Sequence, residues 1–319
     1  MASVRPLKSL SAVGDDVIDY LVGRSTYLPH ERAGAKWLFP LDVEKQLKDR
    51  KRHFGPFDAS GLPLWPVSGM PPQPNVSRTA AYGHAHWNGI QLGYEEASEE
   101  VFLACADWFM TFRDGLFFYQ FPASDMEAPW ISCMGQGVGI ALLARAHLHA
   151  GDVRYVKQAE LATRPLMTDV DEGGLLGRLP DGSIFVQEFP GSRHANVLNG
   201  ALYCLCGVCD LIEIAPGAVS PDLIEWRDRH VISIAENLGN WSQNGWTLYE
   251  YLPKSAAVKN LNTPTYQMVH IALLARLAEF CPDPRFARFC EDWTDAFNSP
   301  ARRLGALKGK LRYRISVGW

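Results

Sequence analysis

The sequence lacks an excess of charge of either sign. Its 319 residues carry 31 basic and 35 acidic side chains, which gives a formal net charge of −4 at pH 7. Proteins that bind nucleic acid or an anionic membrane usually present a strongly basic surface, so this balance argues against both kinds of partner. No apolar run approaches the roughly 18 residues that a transmembrane helix needs, so no membrane partner is predicted either.

Cysteine is sparse, and its number is odd. The seven cysteines do not form the spaced pairs of a disulfide framework or of a zinc site. Cys204, Cys206 and Cys209 stand close together in an apolar helical pattern and are predicted to be buried free thiols. The sequence also lacks a glycine-rich phosphate loop and a dinucleotide fingerprint, so no metal and no cofactor are predicted. The first residues lack the apolar core of a signal peptide, which favours a cytoplasmic location.

The first 75 residues differ in character from the rest. A helix is predicted around Val17–Val22, and the stretch from 54 to 74 is dense in proline and glycine. Because proline breaks helices, this stretch is interpreted as an extended arm packed on a globular body. A lid over a site is the alternative interpretation. The predicted division is residues 1–75 for the helix and arm, and 76–319 for the body.

The body repeats a helical pattern four times. Aliphatic residues recur at helical spacing in pairs of segments, which predicts four helical hairpins. Asp152, Ser220 and Asp283 stand where helix N-caps belong. The spacing is too irregular for a solenoid but suits a ring of hairpins with variable insertions. The predicted fold is mainly α, an (α/α) toroid.

Short aromatic segments separate the hairpins. Residues 116–122, 183–190 and 246–253 resemble β-strands, and Gly173-Gly174 and Asp181-Gly182 supply turn signals before the second of them. Short strands of this kind that follow the inner helices around a ring would gather at one end of it, as short β-hairpins. We therefore expect a concave site at that end.

Polar residues near the helix starts are candidates for ligand binding. Gln136, Asn199 and His270 lie at such positions beside small residues, although capping or core hydrogen bonding is the alternative. Tyr266 precedes His270 by four residues, so the two share a helix face. Tyr249 and Tyr251 alternate around residue 250, so only one of them is expected to face a cavity.

Glu188 is the strongest candidate for proton transfer. Its neighbours Phe185, Val186, Phe189 and Pro190 are apolar, and apolar surroundings raise the pKa of a carboxyl group towards the range useful in acid–base catalysis. A salt bridge with Arg193 is the alternative.

Several segments resemble one known family. PWISCMGQGVGIALLARAH (129–147), QEFP (187–190), NVLNGALYCLCGVCDL (196–211), LYEY (248–251) and TYQMVHI (265–271) are similar, in this order, to segments of the D-glucuronyl C5-epimerases. The resemblance covers roughly residues 79–298. It implies an (α/α) toroid that epimerises C5 of a uronate, in a glycan or a glucuronide, and it suggests a homodimer.

The resemblance also assigns residues. It implies Glu188, Tyr249 and Tyr266 as the proton-transfer set of an isomerase. The substrate-binding candidates are Trp130, Phe189, Arg193, Tyr251 and His86, together with Gln136, Asn199 and His270. Arg193 and His194 are the local candidates for a cation beside the substrate carboxylate.

A second hypothesis keeps the ring and changes the reaction. Phe189 stands where the family has tyrosine, Gln267 where it commonly has histidine, and Leu252 where it has arginine. These differences favour a cavity refitted for a small metabolite in a biosynthetic pathway, with an isomerase, cyclase or lyase activity. That hypothesis predicts an aromatic-lined cavity under the 54–74 arm, whereas an enzyme acting on a glycan chain predicts an open groove.

Overall fold

The computed structural model describes residues 10–30, 37–251 and 258–316. Within these ranges the α-helices are α1 Leu10–Val22, α2 Arg50–Phe54, α3 Val76–Leu92, α4 Glu99–Met110, α5 Cys133–Ala150, α6 Val153–Met167, α7 Leu198–Ile214, α8 Pro221–Asn237, α9 Pro264–Phe280, α10 Pro284–Asn298 and α11 Pro300–Ser316. The strands form three antiparallel pairs, β1 Leu64–Trp65 with β2 Gln73–Pro74, β3 Leu176–Arg178 with β4 Ile184–Val186, and β5 Ser242–Gln243 with β6 Trp246–Thr247.

Four helical hairpins build the body, as predicted. Helices α3 and α4, α5 and α6, α7 and α8, and α9 and α10 pack in pairs, and the first members of the pairs pack side by side in the order α3, α5, α7, α9. Helix α5 is buried on all sides from Gly135 to Ala146, as expected for an inner helix, whereas α6 and α10 are amphipathic. The prediction of a mainly α protein with an (α/α) toroid is confirmed.

Side-chain caps fix where the helices begin. The side chains of Asp152, Ser220 and Asp283 each accept a backbone N–H from the first turn of the helix that follows, as predicted. Ser132 does the same for α5. Each cap satisfies a donor that the helix itself leaves unpaired. These caps fix the starts of the outer helices α6, α8 and α10 and of the inner helix α5. The inner helices start at the same end of the ring.

Helices α5 and α7 approach each other at two glycines. A Cβ atom on Gly137 would lie 2.3 Å from the Cα atom of Cys204, and one on Gly207 would lie 2.1 Å from the carbonyl oxygen of Gly137. Neither position has room for a side chain, because the obstacle is backbone. These glycines set the distance between the two central inner helices.

Two glutamines have the same structural role in different repeats. The side chain of Gln136 accepts the N–H of Phe117 and donates to the carbonyl groups of Gly115 and Ala162. Gln136 thus joins the loop before α5 to the outer helix α6.

Gln267 makes the equivalent bonds one repeat later. Its side chain accepts the N–H of Thr247 and donates to the carbonyl groups of Gly245 and Trp293, which ties the loop before α9 to α10. Both side chains are fully buried. The two amides therefore fix the loops that border one end of the ring.

A buried ion cluster occupies the opposite end. Arg145 of α5 donates to Asp210 of α7 at 2.8 Å, and Arg276 of α9 donates to the other oxygen of Asp210 at 3.0 Å. Arg145 also donates to the carbonyl oxygen of Trp37, and Phe39 stacks on His84 at 4.2 Å between ring centroids. The extended segment around residues 37–41 therefore packs at the C-terminal ends of the inner helices.

The predicted β-segments are shorter than expected. Residues 116–122 form no continuous strand; instead the backbone of Tyr119 pairs with that of Trp130 in an isolated bridge. In the described parts of the other two segments, the strands are limited to Ile184–Val186 and Trp246–Thr247, and Leu248 and Glu250 form isolated bridges. The aromatic side chains of these segments are used in packing between helices, so long sheet ladders are not needed. None of the helices in the described part of the chain combines the length and the apolar character that crossing a bilayer requires.

Replacing Gln136 with alanine should lower the free energy of unfolding by about 3 kcal/mol, because the change leaves an N–H and two carbonyl groups buried without partners. Urea unfolding measures the effect. Gln91→Ala is the matched control, since Gln91 is exposed on α3 and its loss should change stability by less than about 0.5 kcal/mol. Equal stabilities for the two variants would contradict the structural role of Gln136.

Candidate active site

A cavity of about 590 Å³ lies at the end of the ring where the inner helices begin. The three loops between the hairpins contribute to it, and the arm and α11 contribute the rest. The lining residues are Trp65, Pro66, Val67, Ser68, Phe121, Pro122, Ala123, Ser124, Phe189, His194, Tyr249, Glu250, Asn260 and Tyr313. Most of this lining is apolar or aromatic, and the volume suits a ligand of small-molecule size.

Glu188 lies in the loop that follows β4. Its backbone N–H donates to the carbonyl oxygen of Ala195, which closes the loop between them. The residue is 5% exposed, and the carboxyl atom Oε2 is buried with no hydrogen-bond partner. Burial raises the pKa of this carboxyl to about 8, because ionisation is unfavourable away from water. No ion pair links Glu188 to Arg193, which is exposed.

The first turn of α7 accommodates the Glu188 carboxyl. A Cβ atom on Gly200 would lie 2.4 Å from Glu188 Oε2, so a larger residue at this point would displace the carboxyl from its present position. The carboxyl therefore rests directly on the helix backbone. The resemblance to the epimerases includes this glycine, and the structure gives a physical reason for it.

The charge of Glu188 affects the pKa of three phenols. The charge contributes to a raised pKa at Tyr119, Tyr203 and Tyr266, although burial is the larger cause at each. The pKa values of Tyr119 and Tyr266 are both raised to about 12, so both phenols keep their protons at neutral pH. Tyr266 is nevertheless 42% exposed, as expected for a side chain in the wall of a recess.

Tyr266 connects Glu188 to the cavity. Its ring meets the ring of Tyr249 edge to face, with 6.1 Å between centroids, and Tyr249 lines the cavity. The structure thus brings together Glu188, Tyr249 and Tyr266, which are far apart in the sequence. Of these three residues, Tyr249 belongs to the lining of the cavity.

Tyr119 is a neighbour that the sequence patterns did not single out. Its hydroxyl group is 2.5 Å from Ser77 Oγ, and its ring stacks on Trp130 at 4.3 Å. Trp130 in turn contacts Phe189 at 5.6 Å between centroids. Trp130 and Phe189 therefore form an aromatic wall beside Glu188. The aromatic segment 116–122 was the available signal, but it did not distinguish Tyr119 from its neighbours.

Two candidates at helix starts are used by the fold itself. The amide of Gln136 is fully engaged with backbone groups, as described above. His270 is fully buried beside Asn262 and Trp293, and burial lowers its pKa to about 3, so it is neutral near pH 7. The contacts of Gln136 and His270 are therefore with other parts of the fold.

The other binding candidates are dispersed. Asn199 lies in the first turn of α7, and its buried Oδ1 atom has no partner. Tyr251 packs edge to face on Trp241. His86 lies at the contact of α3 with α4, where its Nδ1 atom accepts the N–H of Ser98. Leu252 lies outside the described residues.

A histidine–carboxylate pair also borders the cavity. His194 Nδ1 lies 2.5 Å from Glu250 Oε2, and both residues belong to the lining. The sequence had suggested His194 only as a cation for the substrate carboxylate. No sequence pattern pointed to Glu250, because its partner His194 is 56 residues away in the chain. No group of three or more His, Cys, Asp or Glu side chains in the described ranges could hold a metal ion.

The raised pKa of Glu188 makes a testable link between pH and stability. Below about pH 4.5 the carboxyl is protonated in both the folded and the unfolded chain; between 4.5 and about 8 only the unfolded chain ionises. Stability should therefore fall as pH rises through this window, by up to about 1.4 kcal/mol per unit, and level off above it.

Glu188→Gln should remove this contribution, so the variant should gain stability relative to the parent as pH rises from 5 to 8. Urea unfolding at several pH values measures the difference. Glu160→Gln, at an exposed position of α6, should track the parent at every pH. A constant difference between Glu188→Gln and the parent would show that the carboxyl is ionised in the folded protein.

Comparisons with known proteins agree with this architecture. Residues 108–295 match the family described as D-glucuronyl C5-epimerase C-terminus. A D-glucuronyl C5-epimerase from Caenorhabditis elegans is 27% identical over 216 residues, which cover 62% of this chain and 35% of that protein. The chain thus spans about a third of the length of this relative.

Two solved structures are similar in fold. One is an unsaturated glucuronyl hydrolase specific for heparin, with a TM-score of 0.51 and 11% identity over 74% of this chain and 67% of that one. The other is a family 76 glycoside hydrolase (mannosidase) from Bacteroides thetaiotaomicron, with a TM-score of 0.50 and 8% identity over 80% of this chain and 70% of that one. At such low identities the likeness concerns the fold alone. The family match covers more than half of the sequence, and the chain therefore belongs to the D-glucuronyl C5-epimerase C-terminus family.

Proposed function

We propose that this protein is an isomerase that inverts the configuration at the carbon next to the carboxylate of a uronate. The observation that carries the proposal is the Glu188 carboxyl, which is buried without a partner beside Tyr266 and Tyr119 at one end of the ring. Family membership supports an epimerase-like activity. The raised pKa of Glu188, about 8, supports its assignment as the proton-transfer group.

The chemistry requires a proton to leave and another to return. Ionised Glu188 takes the C5 proton, and the electrons of the C5–H bond move into the substrate carboxylate to give an enediolate. A proton delivered to the opposite face of C5 then forms the epimer, so atoms and electrons balance without a co-reactant. A base with a pKa of about 8 is well matched to this task at neutral pH.

The phenols can stabilise the enediolate. The pKa of Tyr266 is about 12, so this residue remains a hydrogen-bond donor at neutral pH. Tyr249 stands against Tyr266 and lines the cavity. Donors placed before the reaction stabilise negative charge as it develops, at little reorganisation cost.

The cavity favours a small uronide or the end of a chain over an internal unit of a polymer. Its walls come from the arm, from three loops between hairpins, and from α11, so they surround the space from several directions. Trp65 of the arm and Tyr313 of α11 belong to these walls. A volume of about 590 Å³ holds a ligand of one or two sugar rings.

A second candidate function is supported by the apolar lining. Phe121, Phe189 and Trp65 make the cavity aromatic, and Phe189 cannot transfer a proton. A refitted site could act as an isomerase, cyclase or lyase on a small, less polar acid. A lyase would share the removal of the α-proton but would expel a neighbouring substituent, and its unsaturated product would absorb in the ultraviolet.

Incubation of methyl β-D-glucuronide with the protein in deuterium oxide should place deuterium at C5, detectable by NMR. Glu188→Gln should slow this incorporation by about 10²–10⁴-fold, the usual contribution of a placed acid or base. Glu160→Gln should retain the parent rate. Ultraviolet absorption without C5 labelling of recovered substrate would favour the lyase, and no reaction with any uronate would count against the proposal.

The walls of the cavity predict a preference for substrate size. Methyl glucuronide or a glucuronate at the non-reducing end of an oligosaccharide should incorporate deuterium at least about tenfold faster than internal glucuronates of a polymer at equal uronate concentration. Each factor of ten corresponds to about 1.4 kcal/mol of discrimination. Equal rates for internal and terminal units would show that a chain can pass through the site.

A further inference from the structure

We infer that His194, oriented by Glu250, is the second proton-transfer group of the reaction and serves the face of the substrate opposite Glu188. The inference rests on the proposed function and identifies a residue for its second half. Inversion at a carbon needs one group on each face. Phe189, which follows Glu188 directly, has no proton to give.

The contact with Glu250 prepares His194 for this task. Glu250 is 6% exposed and lies 2.5 Å from Nδ1 of the imidazole through its Oε2 atom. A carboxylate accepts a hydrogen bond but cannot donate one, so we assign the neutral imidazole proton to Nδ1. The lone pair is then on Nε2, which becomes a base, and Glu250 stabilises the imidazolium once Nε2 has taken a proton.

The Nε2 atom of His194 is without a partner. It is buried and makes no hydrogen bond, although a buried imidazole nitrogen normally finds one. The contact that holds the imidazole ring in place, with Glu250, is made by the other nitrogen, Nδ1. An unpaired polar atom on a residue that lines a ligand-sized cavity indicates that the ligand supplies its partner.

The loop that carries His194 is held firmly. The backbone N–H of His194 donates to Ser192 Oγ at 3.0 Å, and Ser192 Oγ donates in turn to Asp125 at 2.5 Å. The Glu188 N–H bonds to Ala195, so Glu188 and His194 lie near the two ends of one closed loop. Pre-organisation of this kind keeps a proton-transfer group within reach of its target.

The two groups rest on different elements of the fold. The Glu188 carboxyl rests on the first turn of α7 at Gly200, with Tyr266 nearby, whereas the His194 ring rests on Glu250 in the loop before α9. A pyranose ring held between these elements would present one face to each group. Inversion without a cofactor needs one proton-transfer group on each face, and we assign Glu188 and His194 to the two faces.

The test follows proton exchange and inversion separately for each epimer of the methyl uronide, in deuterium oxide. His194→Asn is the key variant, because its amide nitrogen can replace Nδ1 as a donor to Glu250 while Nε2 is lost. Inversion should fall at least about 10²-fold in both directions. Deuterium should still enter the one epimer whose C5 proton faces Glu188.

Glu188→Gln should give the complementary pattern, with exchange retained only in the other epimer. Glu250→Gln should slow exchange on the His194 side by about 10²-fold and spare the Glu188 side, because Glu250 acts through the imidazole. A merely structural role for either residue would reduce both exchange reactions equally. Unfolding midpoints close to that of the parent verify that the variants fold.

Each result decides between the two proposals. Exchange and inversion in the parent, with selective loss of one exchange reaction in His194→Asn, support the inference. Parent activity with equal loss of both exchange reactions, or with undiminished inversion in His194→Asn, overturns the role of His194 and leaves the proposed function standing. A parent that neither exchanges nor inverts any uronide overturns the proposed function and this inference with it.

Discussion

The close approach of α5 and α7 at Gly137 and Gly207 is the constraint on which the site depends. Backbone of one helix occupies the space where a side chain of the other would be, so a larger residue at either glycine would push the two helices apart. The relative position of the two helices sets where the first turn of α7 lies, and Gly200 in this turn supports the Glu188 carboxyl. A contact between two apolar helices thereby determines the surroundings of the principal acid–base group.

The Glu188 site is unfavourable for folding and favourable for chemistry. A carboxyl buried without a hydrogen-bond partner destabilises the folded chain at neutral pH, because ionisation costs free energy there. The same surroundings raise its pKa to about 8, which suits reversible proton transfer. The extensive apolar core offsets this cost elsewhere in the fold, as do the buried hydrogen bonds of Gln136 and Gln267.

The two ends of the ring differ in how their polar side chains are paired. At the C-terminal ends of the inner helices, Arg145 and Arg276 both pair with Asp210, and the segment around Phe39 packs nearby. At the opposite end, polar atoms of Glu188, His194 and Asn199 remain without partners. Of these, His194 belongs to the lining of the cavity, where a ligand can supply the missing partner.

The sequence by itself determined the helical hairpins, their caps and the toroid, since helical periodicity and capping act over a few residues. It also identified Glu188, because its apolar neighbours adjoin it in the chain. Tertiary structure alone decided the pairing of His194 with Glu250 and the structural use of Gln136 and His270. A glutamine or histidine at a helix start looks the same in the sequence whether it faces a ligand or a backbone carbonyl. Which of these it meets depends on residues that folding brings from a distance, such as Ala162 and Asn262, and no local pattern records that encounter.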